Sequence, residues 1–531
     1  MIKKIEVYIL AILFIFAFYC SLTIGSSWDE LYEMTIGKDR LKYLFTFGSY
    51  KNFNFHIFTE FYPGFYNTFA ILITKLFPSK FEIEVWHIVN TTFSILTVFG
   101  ISKITSNLFN KTVGKIVFII CFTYPIFFGH MAINSKDTII AFANIWSTYI
   151  FLRYIQKQNA NPNRYILLSG LTIGLGTGVR LPFLVTLFPL LIFIIIDIFL
   201  LKKIINTKFS SKKFFLDLIK ILTIAYLISI AFWPQAHLNI FFEPFRLFLE
   251  HIKHGGGGVP WILFNGQFFN TSELPSNYIL INLLFKSPEF LLLSYLIFIF
   301  VLIFNNKFFI KKFSLFWTKI SLIIFILLFP FIYFVFLPVK IYDGLRLFLF
   351  IIPYFCIIPG LAIYYLITHV KRKIILPISI IVSILFVYFL YNFITITPYH
   401  YTYLNRFNGN FSLADKKFEN DYWAVSTKEL INKIKKQKDF ISKNKKIKLA
   451  LCGVNHEIVM KELDKIKNFN YEIKHLFSND FDYVIMTNRS QLDENDSTIT
   501  NIKTCYQIVK GTDLFTVKRK GLILSTFREK I

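Results

Sequence analysis

Long apolar runs dominate this sequence and decide what it can fold into. A helix needs about 20 apolar residues to cross the hydrocarbon core of a bilayer, because each residue adds about 1.5 Å to its length. No soluble core needs so many runs of this length. The sequence therefore predicts a polytopic α-helical membrane protein, with spans near residues 5–25, 84–106, 112–129, 138–154, 164–180, 181–201, 216–233, 278–305, 316–338, 345–368 and 374–397.

Composition supports this class and gives the net charge a topological meaning. The 531 residues are 55% hydrophobic and 19% aromatic, with a mean hydropathy of +0.53. The formal net charge is +26. In a soluble protein that charge would suggest a nucleic-acid partner, but here Lys and Arg lie mainly in short loops between apolar runs, where they set membrane topology. We therefore expect a membrane protein without a nucleic-acid partner.

The basic loops orient the spans. Three lysine-rich segments, at 202–220, 307–319 and 371–373, are expected on the cytoplasmic side, and so is the N-terminus. Everything after Pro398 is then extracytoplasmic. The sequence thus predicts about eleven transmembrane helices, with the N-terminus inside and the C-terminus outside.

The long first outer loop, 26–83, contains a shorter apolar run at 61–77. The run at 84–106 must pass from outside to inside, which leaves no room for a further crossing before it. Pro63 also interrupts the shorter run. We therefore interpret 61–77 as a juxtamembrane or re-entrant helix. A second outer loop is predicted at 234–277.

The chain changes character in its last part. Residues 1–397 form the predicted transmembrane domain, and 398–531 form a predicted small extracytoplasmic α/β domain. Cys452 and Cys505 lie in this tail and could form a disulfide if it is extracytoplasmic. The expected elements of the tail are strands at 448–453 and 481–487, a helix at 457–466, and a strand pair near 506–509 and 514–517.

Two carboxylates, Asp29 and Glu30, follow directly on the first apolar run. Acidic side chains at a membrane edge are costly unless they are solvated, paired or used, so they are functional candidates. The structural alternative is that Ser27 or Asp29 caps a helix that begins there. Both interpretations stay open at this point.

Further polar side chains gather on the same predicted outer face. Asp137 begins a predicted helix, where an acid also stabilises the helix dipole. Arg180 and Arg346 stand at apolar runs, where an arginine either snorkels to the surface or binds an anion. Carboxylates that accept a proton beside arginines that hold a phosphate suit transfer from a lipid phosphate. His251 and His254 could bind a divalent cation with a carboxylate, although the chemistry does not require a metal.

Several motifs occur in a fixed order along the chain: Trp28-Asp29-Glu30, Phe58–Gly64, Gly129–Asp137, Ser169–Arg180 and Tyr342–Arg346. This order resembles that of the C-type (GT-C) membrane glycosyltransferases, in the family of protein O-mannosyltransferases and aminoarabinose transferases. The tracts Pro398–Asn405 and Phe418–Trp423 resemble those of a bacterial subgroup. The resemblance covers about residues 5–430 and implies a GT-C-like fold.

The resemblance also implies an activity. A sugar on a polyprenyl-phosphate donor would pass, with inversion, to a lipid, glycan or protein acceptor at the outer face of a bacterial plasma membrane. The family's presumed base corresponds to Asp29, with Glu30 beside it, and its second-loop acid corresponds to Asp137. The late arginine at the lipid phosphate would be Arg346. Candidates for substrate binding are Glu60, Tyr62, His130, Lys136, Arg180, Tyr342 and Arg346.

A membrane transporter or lipid flippase is the main alternative, and a non-catalytic scaffold with the same fold is another. Transporters usually show internal repeats and carry charges within their spans. Here the polar groups gather at one membrane face, which disfavours transport.

Overall fold

The computed structural model is mostly helical. It describes residues 2–50, 62–205, 209–254, 258–336, 340–409, 411–437, 446–478, 480–494 and 501–531. The helices, in chain order, are α1 (Ile2–Thr23), α2 (Glu30–Phe45), α3 (Phe65–Thr74), α4 (Glu82–Leu108), α5 (Lys111–Phe122), α6 (Pro125–His130), α7 (Asp137–Gln156), α8 (Pro162–Val179), α9 (Phe183–Ile196), α10 (Ser211–Ala231), α11 (Glu243–His254), α12 (Tyr278–Lys286), α13 (Glu289–Phe304), α14 (Asn306–Lys312), α15 (Phe316–Phe336), α16 (Ile352–Phe355), α17 (Ile357–His369), α18 (Ile375–Thr395), α19 (Thr427–Lys435), α20 (His456–Leu463) and α21 (Cys505–Ile508).

Within these described ranges, eight helices are long and apolar enough to cross a membrane. A ninth crossing results if α12 and α13, between which the helix axis bends by 113°, form one broken span. Pro288 separates the two helices, and a proline cannot continue the hydrogen bonding of the helix before it. The predicted polytopic membrane fold is confirmed.

The predicted count of about eleven transmembrane helices differs from this result in two places. The run at 112–129 is divided, because α5 ends at Phe122 and α6 begins at Pro125, whose fixed φ suits the first turn of a new helix. The run at 164–180 forms α8, which is 18 residues long but starts with polar residues and contains four glycines. It packs against α7 and α10 within the bundle.

The short helix α3 lies within the predicted run 61–77. It has ten residues, and so is about 15 Å long, half the thickness of a hydrocarbon core of about 30 Å. It packs against α2, α4 and α8. A helix of this length cannot cross a bilayer, in agreement with the predicted juxtamembrane helix.

The strands of the protein are β1 (Trp261–Phe264), β2 (Gln267–Asn270), β3 (Ile447–Cys452), β4 (Tyr471–Ile473), β5 (Tyr483–Met486), β6 (Ser490–Leu492), β7 (Ile502–Thr504), β8 (Gly511–Arg519) and β9 (Leu522–Lys530). The tail forms a five-stranded mixed sheet with the strand order β4-β3-β5-β9-β8. Within it, β3 is parallel to β4 and β5, and β9 is antiparallel to β5 and β8. Two hairpin-like pairs, β1 with β2 and β6 with β7, lie outside this sheet.

One element of the tail differs from the prediction. The prediction of a strand near 506–509 is wrong, because Cys505–Ile508 form a helical turn in which Thr504 and Gln507 make a capping box. The strand expected at 514–517 lies within β8, whose partner is β9. Cys505 forms a disulfide with Cys452 across 53 residues of sequence.

The bundle and the tail share one buried apolar core. This core runs from Trp86 in the bundle, through Phe389 at the end of α18, to Tyr401, Leu449 and Phe527 in the tail. Removing this much aromatic and aliphatic surface from water holds the two parts together. The tail is therefore packed onto one end of the bundle, where its side chains can line a site.

Candidate active site

Asp29 and Glu30 lie where the chain turns from α1 into α2. Asp29 occupies the N-cap position of α2, but its side chain makes no capping hydrogen bond. The N–H of Ser27 donates instead to Glu30 Oε2 over 2.6 Å, and the Ser27 hydroxyl donates to the carbonyl of Ile133 over 3.0 Å. The capping interpretation therefore does not account for the side chain of Asp29, which is 35% exposed.

Glu30 is turned into the bundle. It is buried, and its Oε1 lies 2.9 Å from Nε2 of His87 on α4. Nδ1 of His87 lies 2.9 Å from the carbonyl oxygen of Ser21 on α1. Both carboxylate oxygens of Glu30 are thus engaged in joining α1, α2 and α4.

Arg346 is the centre of a cluster of charges. It follows a tight turn in which Asp343 and Gly344 have φ values of +58° and +66°, a left-handed conformation that glycine adopts without strain. The turn brings Arg346 Nη1 within 3.0 Å of Asp343 Oδ2. From the other side, Nε lies 3.2 Å from Asp137 Oδ2, and Nη1 lies 4.0 Å from Asp29 Oδ2. The arginine side chain is only 5% exposed, so water screens these charges weakly.

Two aromatic rings cover the guanidinium group of Arg346. Its Cζ lies 4.8 Å from the centre of the Trp423 ring and 4.9 Å from that of Tyr342. Burial opposes the charged form, but Tyr342 and the nearby carboxylates of Asp137 and Asp343 outweigh it and hold the pKa of Arg346 well above its ordinary value. Arg346 is therefore a permanent positive charge on the cluster.

Asp137 holds two arginines at once. Its position at the start of α7 is fixed by Asn134, which donates from Nδ2 to Oδ2 over 3.1 Å and accepts the backbone N–H of Asp137 over 2.8 Å. Asp137 Oδ1 lies 3.3 Å from Nη1 of Arg180, while Oδ2 faces Arg346. Within the described residues, Nε of Arg180 has no hydrogen-bond partner. Two guanidinium groups are thus held across one carboxylate, with a donor left over.

Lys136 and Tyr62 lie beside the arginine pair. The ammonium group of Lys136 is 2.5 Å from Oε1 of Glu33, which raises the pKa of Lys136 although burial opposes the charged form. The ring of Tyr62 lies 5.0 Å from Lys136 Nζ and 5.7 Å from Arg180 Cζ. The carbonyl of Tyr62 accepts a hydrogen bond from Arg40. Tyr62 therefore presents its face to two cations at the edge of the cluster.

His130 is buried against the tail. Its Nε2 lies 2.8 Å from the hydroxyl of Tyr422, and its ring packs edge-on against Trp423 at 5.1 Å. Burial, aided by the charge of Arg346, lowers the pKa of His130 to about 3. His130 is neutral at physiological pH and fixes the two aromatic residues that approach the site.

Known proteins share this architecture. Residues 63–231 match the family model described as dolichyl-phosphate-mannose-protein mannosyltransferase. The apo crystal structure of ArnT from Cupriavidus metallidurans aligns with 100% of this chain and 99% of its own, with a TM-score of 0.51 and 10% identity. With undecaprenyl phosphate bound, ArnT aligns over the same shares, with a TM-score of 0.52 and 11% identity. This chain has the fold of the C-type glycosyltransferases.

The resemblance predicted from the order of the motifs is thereby confirmed. The Archaeoglobus fulgidus oligosaccharyltransferase aligns less closely, with a TM-score of 0.48 and 10% identity over 90% of this chain and 69% of that chain. No curated protein matches the sequence. The residues matched by the family model include Asp137 and Arg180, whereas Asp29 and Arg346 lie outside them.

In this glycosyltransferase fold, the tail adds a residue that the sequence pattern did not indicate. Nη1 of Arg489 lies 3.0 Å from Asp343 Oδ1 and 3.7 Å from Glu419 Oε2, and donates to the carbonyl of Tyr422 over 2.6 Å. All four residues are buried. Asp343 therefore sits between two arginines and links the tail to Arg346. The available signal was a lone arginine three residues after the end of β5, which by itself does not identify its partner.

The remaining predicted residues have mixed outcomes. Glu60 lies outside the described residues, and so do the side chains of His251 and His254. No group of three or more His, Cys, Asp or Glu side chains within the described ranges is arranged to hold a metal ion. The cleft between Asp29 and Arg346 is narrow, about 10 Å³, which is room for about one water molecule. A bound sugar would therefore have to separate these two side chains.

Proposed function

We propose that this chain is an integral-membrane glycosyltransferase that moves a sugar from a polyprenyl-phosphate donor to a hydroxyl of a lipid, glycan or protein acceptor. The observation that carries the proposal is a partly exposed carboxylate, Asp29, beside Arg346, which shares Asp137 with Arg180. Similar proteins support the donor class: the matching family model describes dolichyl-phosphate-mannose-protein mannosyltransferases, and one ArnT structure contains undecaprenyl phosphate. Both carriers are polyprenyl phosphates.

Asp29 is the general base in this proposal. Its carboxylate accepts no hydrogen bond from any described residue and reaches solvent. A carboxylate in this state can accept the proton of an incoming hydroxyl. The other acids of the cluster each accept at least one hydrogen bond, which makes them structural by comparison: Glu30, Glu33, Asp137, Asp343 and Glu419.

Arg346 is the counter-ion on which the transfer depends. The acceptor oxygen forms a bond to C1 of the sugar as the bond from C1 to the phosphate oxygen breaks, and the electron pair leaves with the phosphate. Asp29 loses its negative charge when it takes the acceptor proton, while the phosphate gains one. Arg346 and Asp29 lie 4.0 Å apart, and a sugar bound between them would face the carboxylate on one side and the guanidinium group on the other. Such fixed stabilisation of a developing charge is a major source of catalysis.

Arg180, Lys136 and Tyr62 complete the proposed donor site. Arg180 brings an N–H group without a partner within the described residues, suited to a phosphate oxygen. Lys136 adds a second charge near the same ring of Tyr62. Tyr342 covers Arg346 and limits where the phosphate can approach. Attack by the acceptor from the Asp29 side, opposite the phosphate, would invert the configuration at C1.

The tail and the site lie at the same end of the bundle, and we assign both to the extracytoplasmic face of a bacterial plasma membrane, with residues 1–397 as the membrane domain and 398–531 as the outer domain. The disulfide between Cys452 and Cys505 supports this assignment, because disulfides persist in oxidising compartments. The basic segment 371–373 precedes α18, whose opposite end leads into the tail. The positive charges of segment 371–373 are those expected on the cytoplasmic side.

The proposal is tested by transfer of radiolabelled sugar. Purified protein in nanodiscs is mixed with a panel of polyprenyl-phosphate sugars and membrane acceptors. We expect wild type to transfer label from one donor, and Asp29→Asn to transfer about 100- to 10,000-fold more slowly, the usual contribution of a general base. Asp39→Asn, on the same helix α2, is the matched control and should keep wild-type activity.

Two results would contradict this assignment. Full transfer by Asp29→Asn at normal expression would exclude Asp29 as the base. Absence of turnover and of binding with every lipid-phosphate sugar would favour a transporter or a scaffold with this fold.

A further inference from the structure

A second cavity lies where α18 meets the tail, and the proposed transfer reaction makes no use of it. Its volume is about 420 Å³, and its lining includes Tyr388, Asn392, Arg406 and Lys520. Lys520 is placed there by the two-residue turn between β8 and β9. In this turn Lys520 and Gly521 both have positive φ, the conformation of a tight hairpin turn. A helix of the bundle and a hairpin of the tail thus form one pocket.

Two cations face the same aromatic ring in this pocket. Cζ of Arg406 lies 4.9 Å from the centre of the Tyr388 ring, and Nζ of Lys520 lies 5.8 Å from it. Lys520 also donates a hydrogen bond to Asn392. Among the described residues, no carboxylate forms an ion pair with either cation.

One carboxylate does line the cavity, that of Glu289, and its oxygens are already engaged. Oε1 accepts the backbone N–H of Arg406 over 2.9 Å, and Oε2 accepts the hydroxyl of Tyr403 over 3.1 Å. These hydrogen bonds stabilise the negative charge of Glu289 without using the charged groups of Arg406 or Lys520. The pocket therefore has two cations for one anion, and its excess charge is suited to an anionic ligand.

An apolar groove leads away from the pocket along α18. It is shallow and open, and it is formed on α18 by residues that include Leu376, Ile380 and Ile384. These residues are spaced by four, and the next members of the same row are Tyr388 and Asn392 of the pocket. Residues four apart lie on one face of a helix. The groove and the cationic pocket are thus successive parts of a single surface.

This surface belongs to a candidate transmembrane helix. α18 is one of the candidate spans, and Ile384 is 62% exposed on it. Beside the pocket, Phe407 and Leu413 of the tail are also exposed. Aromatic and basic side chains at the end of an apolar span are typical of the bilayer interface.

We infer that the pocket binds the phosphate of an anionic phospholipid whose acyl chain lies in the groove on α18. The charge of Arg406 and Lys520 recognises the phosphodiester. The row of Leu376, Ile380 and Ile384 packs against the acyl chain. Such a lipid would be held against the joint between the bundle and the tail. This inference does not depend on the proposed transfer reaction.

The test compares two phospholipids with the same acyl chains, phosphatidylglycerol and phosphatidylcholine, titrated onto delipidated protein and counted by native mass spectrometry. We expect phosphatidylglycerol to bind more tightly. Arg406→Gln with Lys520→Gln should reduce its affinity about 25-fold, since a cation at a membrane surface contributes about fivefold. The matched control, Lys461→Gln with Lys467→Gln, removes two exposed charges from the tail and should keep the preference.

The groove is tested separately. Ser383 lies in the groove on the exposed side of α18, so Ser383→Phe should fill it without disturbing the core and should weaken phosphatidylglycerol binding. Soluble glycerophosphoglycerol should not displace the lipid. The inference is overturned if both double variants lose binding equally, if neither loses it, or if the soluble headgroup competes as well as the lipid.

Discussion

Arg489 offers a sharp test of how the tail is joined to the site. This buried side chain lies 3.0 Å from Asp343 and 3.7 Å from Glu419. In the variant Arg489→Leu, Asp343 keeps Arg346 as its counter-ion, whereas Glu419 stays buried, loses its ion pair and keeps a longer-range interaction with Lys286. Removing one partner of a buried ion pair costs about 3–5 kcal/mol. We therefore expect the free energy of unfolding to fall by about that amount.

The loss of unfolding free energy in Arg489→Leu should depend on pH. Burial raises the pKa of Glu419, and the charge of Arg489 opposes that rise. Without Arg489 the folded-state pKa rises further above the unfolded value, so the penalty is absent in acid and grows as the pH rises between these two values. Adding Glu419→Gln to Arg489→Leu removes the uncompensated charge and should recover part of the loss at neutral pH.

Thermal unfolding in detergent at pH 5 and pH 8, followed by circular dichroism, measures this effect. The matched control is Arg246→Leu, because Arg246 is half exposed and pairs with Glu243 and Glu250 on the surface. Exposed pairs contribute only about 0–1 kcal/mol. If Arg489→Leu and Arg246→Leu unfold at the same temperature at both pH values, the buried charges do not stabilise the contact between bundle and tail, and the reasoning is refuted.

Two further predictions concern the tail and its junction. Burial lowers the pKa of His400 to about 3, so its stabilising contribution is complete above pH 6.5 and falls as the pH drops. At pH 5 the loss in the free energy of unfolding is about 2 kcal/mol. Between pH 7 and pH 5, the free energy of unfolding of His400→Phe should therefore fall by about that much less than that of wild type. Equal falls for the two proteins would contradict this. Reducing the Cys452–Cys505 disulfide opens a loop of 53 residues, and the tail should lose about 4 kcal/mol of stability, measured by limited proteolysis with and without reductant. Unchanged proteolysis would contradict it.

The positions of most spans could be predicted, because an apolar run of sufficient length has few other uses. Breaks within the runs were harder to place. The bend between α12 and α13 and the interruption after α5 coincide with Pro288 and Pro125, which were visible in the sequence. Total apolarity does not show where a proline divides a helix, and the predicted spans at 112–129 and 278–305 therefore stayed continuous.

The convergence of site residues could be predicted only for the bundle. Asp29, Asp137, Arg180 and Arg346 were expected at one face, and the structure brings all four within one chain of ionic contacts. The partner of Arg489 could not be predicted. Asp343 is 146 residues away, and no local pattern encodes a pairing over that distance. Glu30 could not be distinguished from Asp29 either, because its contact with His87 is also long-range.

The arrangement around Arg346 argues that the tail completes the site. Asp29 and Asp137 approach the guanidinium group from the bundle, while Trp423 covers it from the tail. Arg489 contacts Asp343 on the side away from Arg346, so a tail that moves away would uncover Trp423 and leave Asp343 with one arginine. Arg346 would then be less buried, and water would screen its charge more strongly. A phosphate would gain less from such an arginine. Docking of the tail is thus expected to set the electrostatic strength of the site, even though the proposed base belongs to the predicted first outer loop.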